Sequence, residues 1–289
     1  MYKPWPLSGS PSQWLLLSLL LLSPPLAAEY ESMQKLDETL RAANQGVIEA
    51  QNNVAMIFRD GLGVPRDYKA ALKWYRMAAD KGHAEAQYQL GRMHHDGKGT
   101  PKDDQEAVKW FRLAAEQGSP EAQFALGEIH RNGQGILDDA KEGVKWLRLA
   151  AEQGLAEAQY NLGLALRDGQ GTERDEQQAA SWIRKAAEQE FPKAQTLLAN
   201  MLAAGQGVEQ DLIQAAMWLQ LAVSQGDPSA LKKQAQMLKD LTREQLSKAR
   251  DLADHWIPPS LKKITDTPAK TAGNQPSDPV GSPVPKKVE

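Results

Sequence analysis

The chain has no cysteine. That absence excludes a disulfide framework, a thiolate metal site, a cysteine nucleophile and a cysteine-linked lipid anchor, since each needs the missing sulfur. An excess of one charge is lacking too: 34 Lys and Arg face 37 Asp and Glu, mixed along the chain, for a net charge of -3. Nucleic-acid binding needs a basic face, so no nucleic-acid partner is expected. Long apolar runs are confined to the N-terminus, where Trp14 to Leu22 follows Lys3 and precedes Pro24-Pro25-Leu26-Ala27-Ala28. The run is too short to span a bilayer, and the small residues before Glu29 suit signal peptidase. Residues 1–28 therefore read as a cleaved secretory signal rather than an uncleaved anchor. In a bacterial cell the mature chain is expected to be periplasmic or secreted, with no integral membrane segment.

What the chain has instead is one pattern, over and over. His83 to Gly118 reads HAEAQYQLGRMHHDGKGTPKDDQEAVKWFRLAAEQG, and it returns at every 36-residue step without a gap. The copies are Val47 to Gly82, His83 to Gly118, Ser119 to Gly154, Leu155 to Glu190 and Phe191 to Gly226. Trp74, Trp110, Trp146, Trp182 and Trp218 fall in register, as do Gly61/Gly63, Gly97/Gly99, Gly133/Gly135, Gly169/Gly171 and Gly205/Gly207. A fixed period of this size marks a solenoid, in which each unit buries its apolar face only against its neighbours.

Each unit reads as two helices. In the first, Ala86, Leu90, Met93 and His94 share one face at amphipathic spacing. Next to Leu90 stands Gly91, whose counterparts Ala55, Gly127, Gly163 and Ala199 are also only glycine or alanine. Glycine inside a helix costs about 1 kcal/mol against alanine, so the pattern predicts a second backbone passing close by. The Gly-x-Gly loop lacks the rest of any phosphate-binding fingerprint and reads as a turn between antiparallel helices. Asp67, Asp103, Asp139, Asp175 and Asp211 are candidate N-caps of the second helix, and Glu106, Glu142, Gln178 and Gln214 stand where a capping box needs them. The tryptophans could be an aromatic ladder for sugars or bases, but their place before an alanine pair favours core packing. Glycine closes four of the five units; Glu190 stands in its place in the fourth.

The ends differ. Residues 29–46, with Met33, Leu36, Leu40 and Ala43 at helical spacing, resemble the second half of a unit and read as an N-terminal capping helix. Residues 227–257 read as C-terminal capping helices, the last opened by Thr242-x-x-Gln245. Residues 258–289, rich in Pro, Ser, Thr and Lys, are expected to form a disordered tail.

No catalytic constellation emerges, and no catalytic, cofactor-binding or metal-ligating residue is assigned. His94 and His130 hold the same place in successive first helices and could in principle share a metal. Phe58, Leu166 and Leu202 hold that place elsewhere, so it reads as a core-side position that tolerates histidine.

The unit AxAQxxLGxxxxxGxG...D...A..W.R.AAEQG, as in Ala84 to Gly118 and Ala156 to Gln189, closely resembles the Sel1-like repeat, a relative of the tetratricopeptide repeat. The resemblance covers Val47 to Gly226 and extends to the helix around Leu241 to Trp256. It implies an all-α, right-handed α/α superhelical solenoid and a role in assembling complexes rather than in catalysis. Some bacterial members look like periplasmic adaptors or regulators, others like secreted factors that bind host proteins. A cysteine-rich branch is linked to β-lactam binding, an activity put in doubt here by the absent cysteines.

By the same resemblance, the concave wall is the side of the first helices. A second stripe on those helices supplies Asn52, Tyr88, Phe124, Tyr160 and Thr196 at one level, Met56, Arg92, Glu128, Leu164 and Asn200 at the next, and Arg59, His95, Arg131, Arg167 and Ala203 at a third. Aromatic anchors beside guanidinium donors are typical of binding hot spots. Tyr88, Arg92, His95, Phe124, Glu128, Arg131, Tyr160 and Arg167 are thus the candidate protein-binding residues, suited to a peptide with acidic or C-terminal carboxylate groups. The opposing reading is that the aromatics wedge between units and the arginines only solubilise the wall. The function expected is a non-catalytic scaffold or adaptor for protein or peptide partners of the cell envelope. Alternatives are a regulator of a membrane sensor, a secreted host-interaction factor and a cell-wall enzyme.

Overall fold

The computed structural model describes residues 24–132, 139–237 and 239–259. Residues 1–23 of the signal reading, Gly133/Gly135 of the third loop and nearly all of the expected tail lie outside the described residues. The described residues form thirteen α-helices and no strand. A leading helix α1 (Pro24–Asn44) is followed by five helix pairs: α2 (Ile48–Asp60) with α3 (Tyr68–Ala79), α4 (Ala84–Asp96) with α5 (Asp104–Glu116), α6 (Pro120–Asn132) with α7 (Ala140–Glu152), α8 (Ala156–Asp168) with α9 (Glu176–Glu188), and α10 (Pro192–Ala204) with α11 (Leu212–Ser224). Then come α12 (Pro228–Met237) and α13 (Arg243–Asp254). Extensive contacts join only successive helices until the C-terminus, where α12 and α13 both pack on α11. Such nearest-neighbour packing is what makes a solenoid quasi-one-dimensional.

The small residue in each first helix explains the pairing. A Cβ at Gly91, Gly127 or Gly163 would lie 2.6–2.7 Å from the side chain of Phe111, Leu147 or Ile183, and 3.2 Å from the carbonyl of Ala107, Gly143 or Ala179. The glycine therefore lets the second helix dock backbone-close, and its large apolar residue fills the gap. All five tryptophans pack in or against the core, as expected, but not at its centre. The residue after each one, Tyr75, Phe111, Leu147, Ile183 or Leu219, is only 0–2% exposed, whereas Trp110 and Trp218 are buried and Trp74, Trp146 and Trp182 are half-buried. One residue turns a helix by about 100°, so the tryptophan sits at the edge of the stripe its neighbour occupies centrally. At that edge the Arg76 guanidinium covers Trp110 at 5.0 Å and the Lys185 ammonium covers Trp182 at 3.9 Å.

The caps are half as expected. Each aspartate accepts from the backbone N–H three residues on, at Ala70, Glu106, Glu142, Gln178 and Gln214. The return bond from a third-residue side chain to the cap amide is absent in these units, because that amide already donates to the preceding first helix: Asp67 to the Phe58 carbonyl, Asp103 to His94, Asp139 to His130, Asp175 to Leu166 and Asp211 to Leu202. Glu106 instead accepts from Trp110 Nε1 at 2.9 Å and from Lys109. Among the described residues only Thr242 and Gln245, where no preceding carbonyl competes, form the reciprocal box.

In the four described loops both glycines have φ between 66° and 75°, the region a Cβ disfavours. The second has a further reason: at Gly99, Gly171 and Gly207 a Cβ would overlap the carbonyl of Tyr68, Ala140 or Glu176, which opens the second helix of the preceding unit. The loop thus joins units as well as helices. A glutamine ladder joins them too. Gln51, Gln87, Gln123, Gln159 and Gln195, all buried, donate through Nε2 to the carbonyls of Ala43, Ala79, Ala115, Ala151 and Ala187 at 3.1–3.3 Å. Gln117, Gln153 and Gln189 then donate to the Oε1 atoms of Gln87, Gln123 and Gln159 at 2.7–2.8 Å. At the far end Trp256, just past α13, meets Trp218 edge-on with centroids 5.5 Å apart.

Candidate functional site: the wall of first helices

The stripe beside the buried face of each first helix forms a wall, and its three levels behave differently. At the first, Asn52 and Thr196 are buried, and Thr196 Oγ1 donates to Asp227 Oδ2 at 2.6 Å. Tyr88, Phe124 and Tyr160 are half-buried. The Tyr88 ring tilts against Phe111 with centroids 5.8 Å apart, and Tyr160 meets Phe191 of the next unit edge-on at 5.4 Å. Burial pushes both phenol pKa values up. One side of each ring wedges into the array while the other stays open.

The third level departs from expectation. Its guanidinium groups are already engaged. Arg59 donates twice to Asp60 at 2.8 and 2.7 Å, Arg131 twice to Glu128 at 3.1 and 3.0 Å, and Arg167 twice to Asp168 at 2.6 and 2.8 Å. Hydrogen bonds from Arg59 and Arg167 hold the carboxyls of Asp60 and Asp168 below their usual range. His95 Nδ1 lies 2.7 Å from Asp104 Oδ1. A guanidinium satisfied by its own neighbour is a weak donor to a partner, so Arg131 and Arg167 are not the open anion receptors that their spacing suggested. Arg92 differs: it is exposed, lies 5.8 Å over the Tyr88 ring, whose hydroxyl is its hydrogen-bond partner, and has no carboxylate in ion-pair range among the described residues.

Five of the eight candidates converge. A cleft of about 200 Å³ between α4 and α6 is lined by Tyr88, Arg92, His95, Phe124 and Glu128, with Phe111 among its other walls. Arg131 is tied to it through Glu128; Tyr160 and Arg167 do not line it. His94 and His130 point the other way, into the core. Both are buried, neither ring nitrogen of either has a partner, and burial lowers both pKa values. Among the described residues no three His, Asp or Glu side chains are placed to hold a metal ion, and no helix is long and apolar enough to cross a membrane.

The model of the Sel1 repeat matches five times, at residues 48–83, 84–119, 120–155, 156–191 and 192–227. The chain belongs to the Sel1-repeat family. Repeats of this family generally mediate protein–protein interaction. Among solved structures, the chain resembles c5321, a protective antigen of uropathogenic Escherichia coli strains with an SLR fold, at 34% identity and a TM-score of 0.73 over 85% of this chain and 54% of that one. It also resembles a Sel1 repeat protein from Oxalobacter formigenes, at 35% identity and a TM-score of 0.64 over 72% of this chain and 59% of that one. The chain thus spans little more than half the length of either. No curated protein matches it.

A reading along the helices alone missed two features of this Sel1 solenoid. The ladder glutamines recur in AxAQ and AAEQG, but polar residues in a helix pattern draw no attention until their partners are seen. Arg66 and Lys98, in the loops beside the wall, were passed over because the stripe was followed only along helices. Comparing loop positions across the five units would have singled them out.

Proposed function

We propose that this Sel1-repeat protein is a non-catalytic adaptor of the bacterial cell envelope, periplasmic or secreted, that binds a protein or peptide partner on the wall of first helices. The supporting observation is the cleft between α4 and α6, where the half-exposed rings of Tyr88 and Phe124 stand beside Arg92, which has no carboxylate partner among the described residues. Half-exposed aromatics beside a guanidinium that no carboxylate neutralises are the composition of a binding hot spot. The N-terminal signal pattern supports export, as does similarity to c5321, a protein described as a protective antigen.

In-cell photo-crosslinking tests the reading, with the probe at Phe124 and, as control, at Leu149, an exposed residue of a second helix. A discrete adduct from Phe124, lost on Tyr88→Ala and absent from Leu149, is expected. Adducts from Leu149 alone would show that the partner uses another face. Recovery of the protein in the cytoplasm with residues 1–28 still attached would refute the envelope assignment.

A further inference from the structure

Beside the aromatic cleft lies a second pocket, of about 360 Å³, where the end of α2, its Gly-x-Gly loop and α4 meet. It shares Arg92 and Asp96 with the cleft, so the two are continuous. Four cations, Arg59, Arg66, Arg92 and Lys98, face two carboxylates, Asp60 and Asp96. Asp60 is taken by Arg59, and Asp96 accepts from Lys98 Nζ at 2.9 Å. That leaves Arg66 and Arg92, both exposed and both without a carboxylate in ion-pair range among the described residues. Arg66 rests only over the Tyr68 ring at 5.8 Å, with a long 3.4 Å contact to its hydroxyl.

Three periods later the same pocket is built again without the charge. Arg167, Asp168 and Arg174 repeat Arg59, Asp60 and Arg66, but Glu176 replaces Tyr68 and pairs with Arg174. Gln206 replaces Lys98, and Asn200 stands where Arg92 does. The later pocket is neutral and internally satisfied; the earlier one keeps a surplus of two positive charges. Two guanidinium groups with no carboxylate partner, at one edge of an apolar cleft, are matched by a planar carboxylate that can take paired N–H donors.

We infer that the Arg66–Arg92 pocket binds a carboxylate of the partner segment whose apolar side chain lies on Tyr88 and Phe124. The segment therefore carries an acidic side chain beside its apolar anchor. This rests on the wall being the docking surface.

The test uses the full chain and NMR of the arginine Nε–Hε groups, titrated with N-acetyl-Phe-Asp-amide, with its uncharged counterpart N-acetyl-Phe-Asn-amide, and with inorganic phosphate. Saturable shifts are expected at Arg66 and Arg92 and not at Arg174. Affinity should fall by about tenfold or more for the uncharged peptide, and likewise in Arg66→Gln and in Arg92→Gln. The combined variant Glu176→Tyr/Asn200→Arg/Gln206→Lys should make Arg174 respond as a second site. Equal response of Arg174 in the unaltered chain, or tighter binding of phosphate than of the peptide, overturns the inference. Loss of binding on Phe124→Ala with Arg66→Gln unaffected would overturn the pocket and spare the wall. Loss on Arg66→Gln with Phe124→Ala unaffected would keep the pocket and overturn the wall reading.

Discussion

Helices α4 and α10 occupy the same place three units apart and bury the same face: Ala86, Leu90 and Met93 in one, Ala194, Leu198 and Met201 in the other. Their walls share nothing. Where α4 presents Tyr88, Arg92 and His95, α10 has a buried Thr196 bonded to Asp227, then Asn200 and Ala203. The inward face is fixed by docking against a second helix, and that geometry is identical in every unit, so it tolerates little choice. The wall meets no second helix and is free to differ. On the function proposed above, a partner would be recognised where the copies differ, and the two continuous pockets of the first three units are where they differ most in charge and aromatic content.

The contrast is broken most forcefully from the inside. Leu90→Ala and Leu198→Ala each leave a cavity at a fully buried site and should cost about 2–5 kcal/mol, by similar amounts. Arg92→Ala and Asn200→Ala, at the matching wall positions, should change stability by no more than about 0.5 kcal/mol. Urea unfolding of the four variants checks this; a wall variant as damaging as a core one would erase the distinction. The same logic ranks the tryptophan position. Leu147→Ala should destabilise more than Trp146→Ala, although tryptophan is larger, because Leu147 lies at the centre of the packed stripe and Trp146 at its edge.

One inward position does distinguish the two helices. His94 of α4 stands where α10 has Leu202, and His130 repeats it in α6. Each is buried with both ring nitrogens unpaired, and desolvation lowers its pKa below 6.5. Glu106 and Asp103 oppose that shift at His94 while Arg76 reinforces it; Glu142 and Asp139 against Arg112 do the same at His130. A base with a depressed folded pKa binds its proton more readily when unfolded. Its neutral form is accommodated above about pH 6.5, and stability falls as the pH drops through 6.5 towards the folded value. His94→Leu/His130→Leu should therefore stabilise the fold by about 1–2 kcal/mol at neutral pH, by removing unpaired polar atoms, and by more at pH 5. Melting curves at pH 5 and pH 8 showing the same gain would mean that the histidines do not titrate with unfolding.

Much of the fold was legible because the period repeats each signal five times. The glycine or alanine beside Leu90, the capping aspartates and the Gly-x-Gly turns all mark constraints of a single backbone or of one helix pair, and such constraints leave a residue-type signature. The relative burial of Trp146 and Leu147 did not, since one step of helix rotation decides it and both residues are apolar. The wall was legible as a position and not as a chemistry. Tyr88, Arg92 and Phe124 line one cleft, but the ion pairs of Arg131 with Glu128 and of Arg167 with Asp168 were not foreseen, since spacing alone does not say which acid an arginine will choose.

A smaller effect than those of the core and the histidines lies at a joint between units. After each second helix the chain turns through a residue of positive φ: Gly82, Gly118, Gly154 and Gly226 adopt values of 83° to 96°. Glu190 makes the same turn at 62° and is the only non-glycine residue with positive φ among the described residues. A Cβ in that region costs about 1–2 kcal/mol, partly offset because glycine loses more freedom on folding. Glu190→Gly should thus stabilise by about 0.5–1 kcal/mol, and Gly154→Glu, where a Cβ would meet nothing within 4 Å, should destabilise by a similar amount. Opposite shifts of similar size in the two unfolding midpoints would place the cost in the backbone turn. If Gly154→Glu were harmless, the turn itself would tolerate a side chain, and the glycines that close the other units would need another explanation.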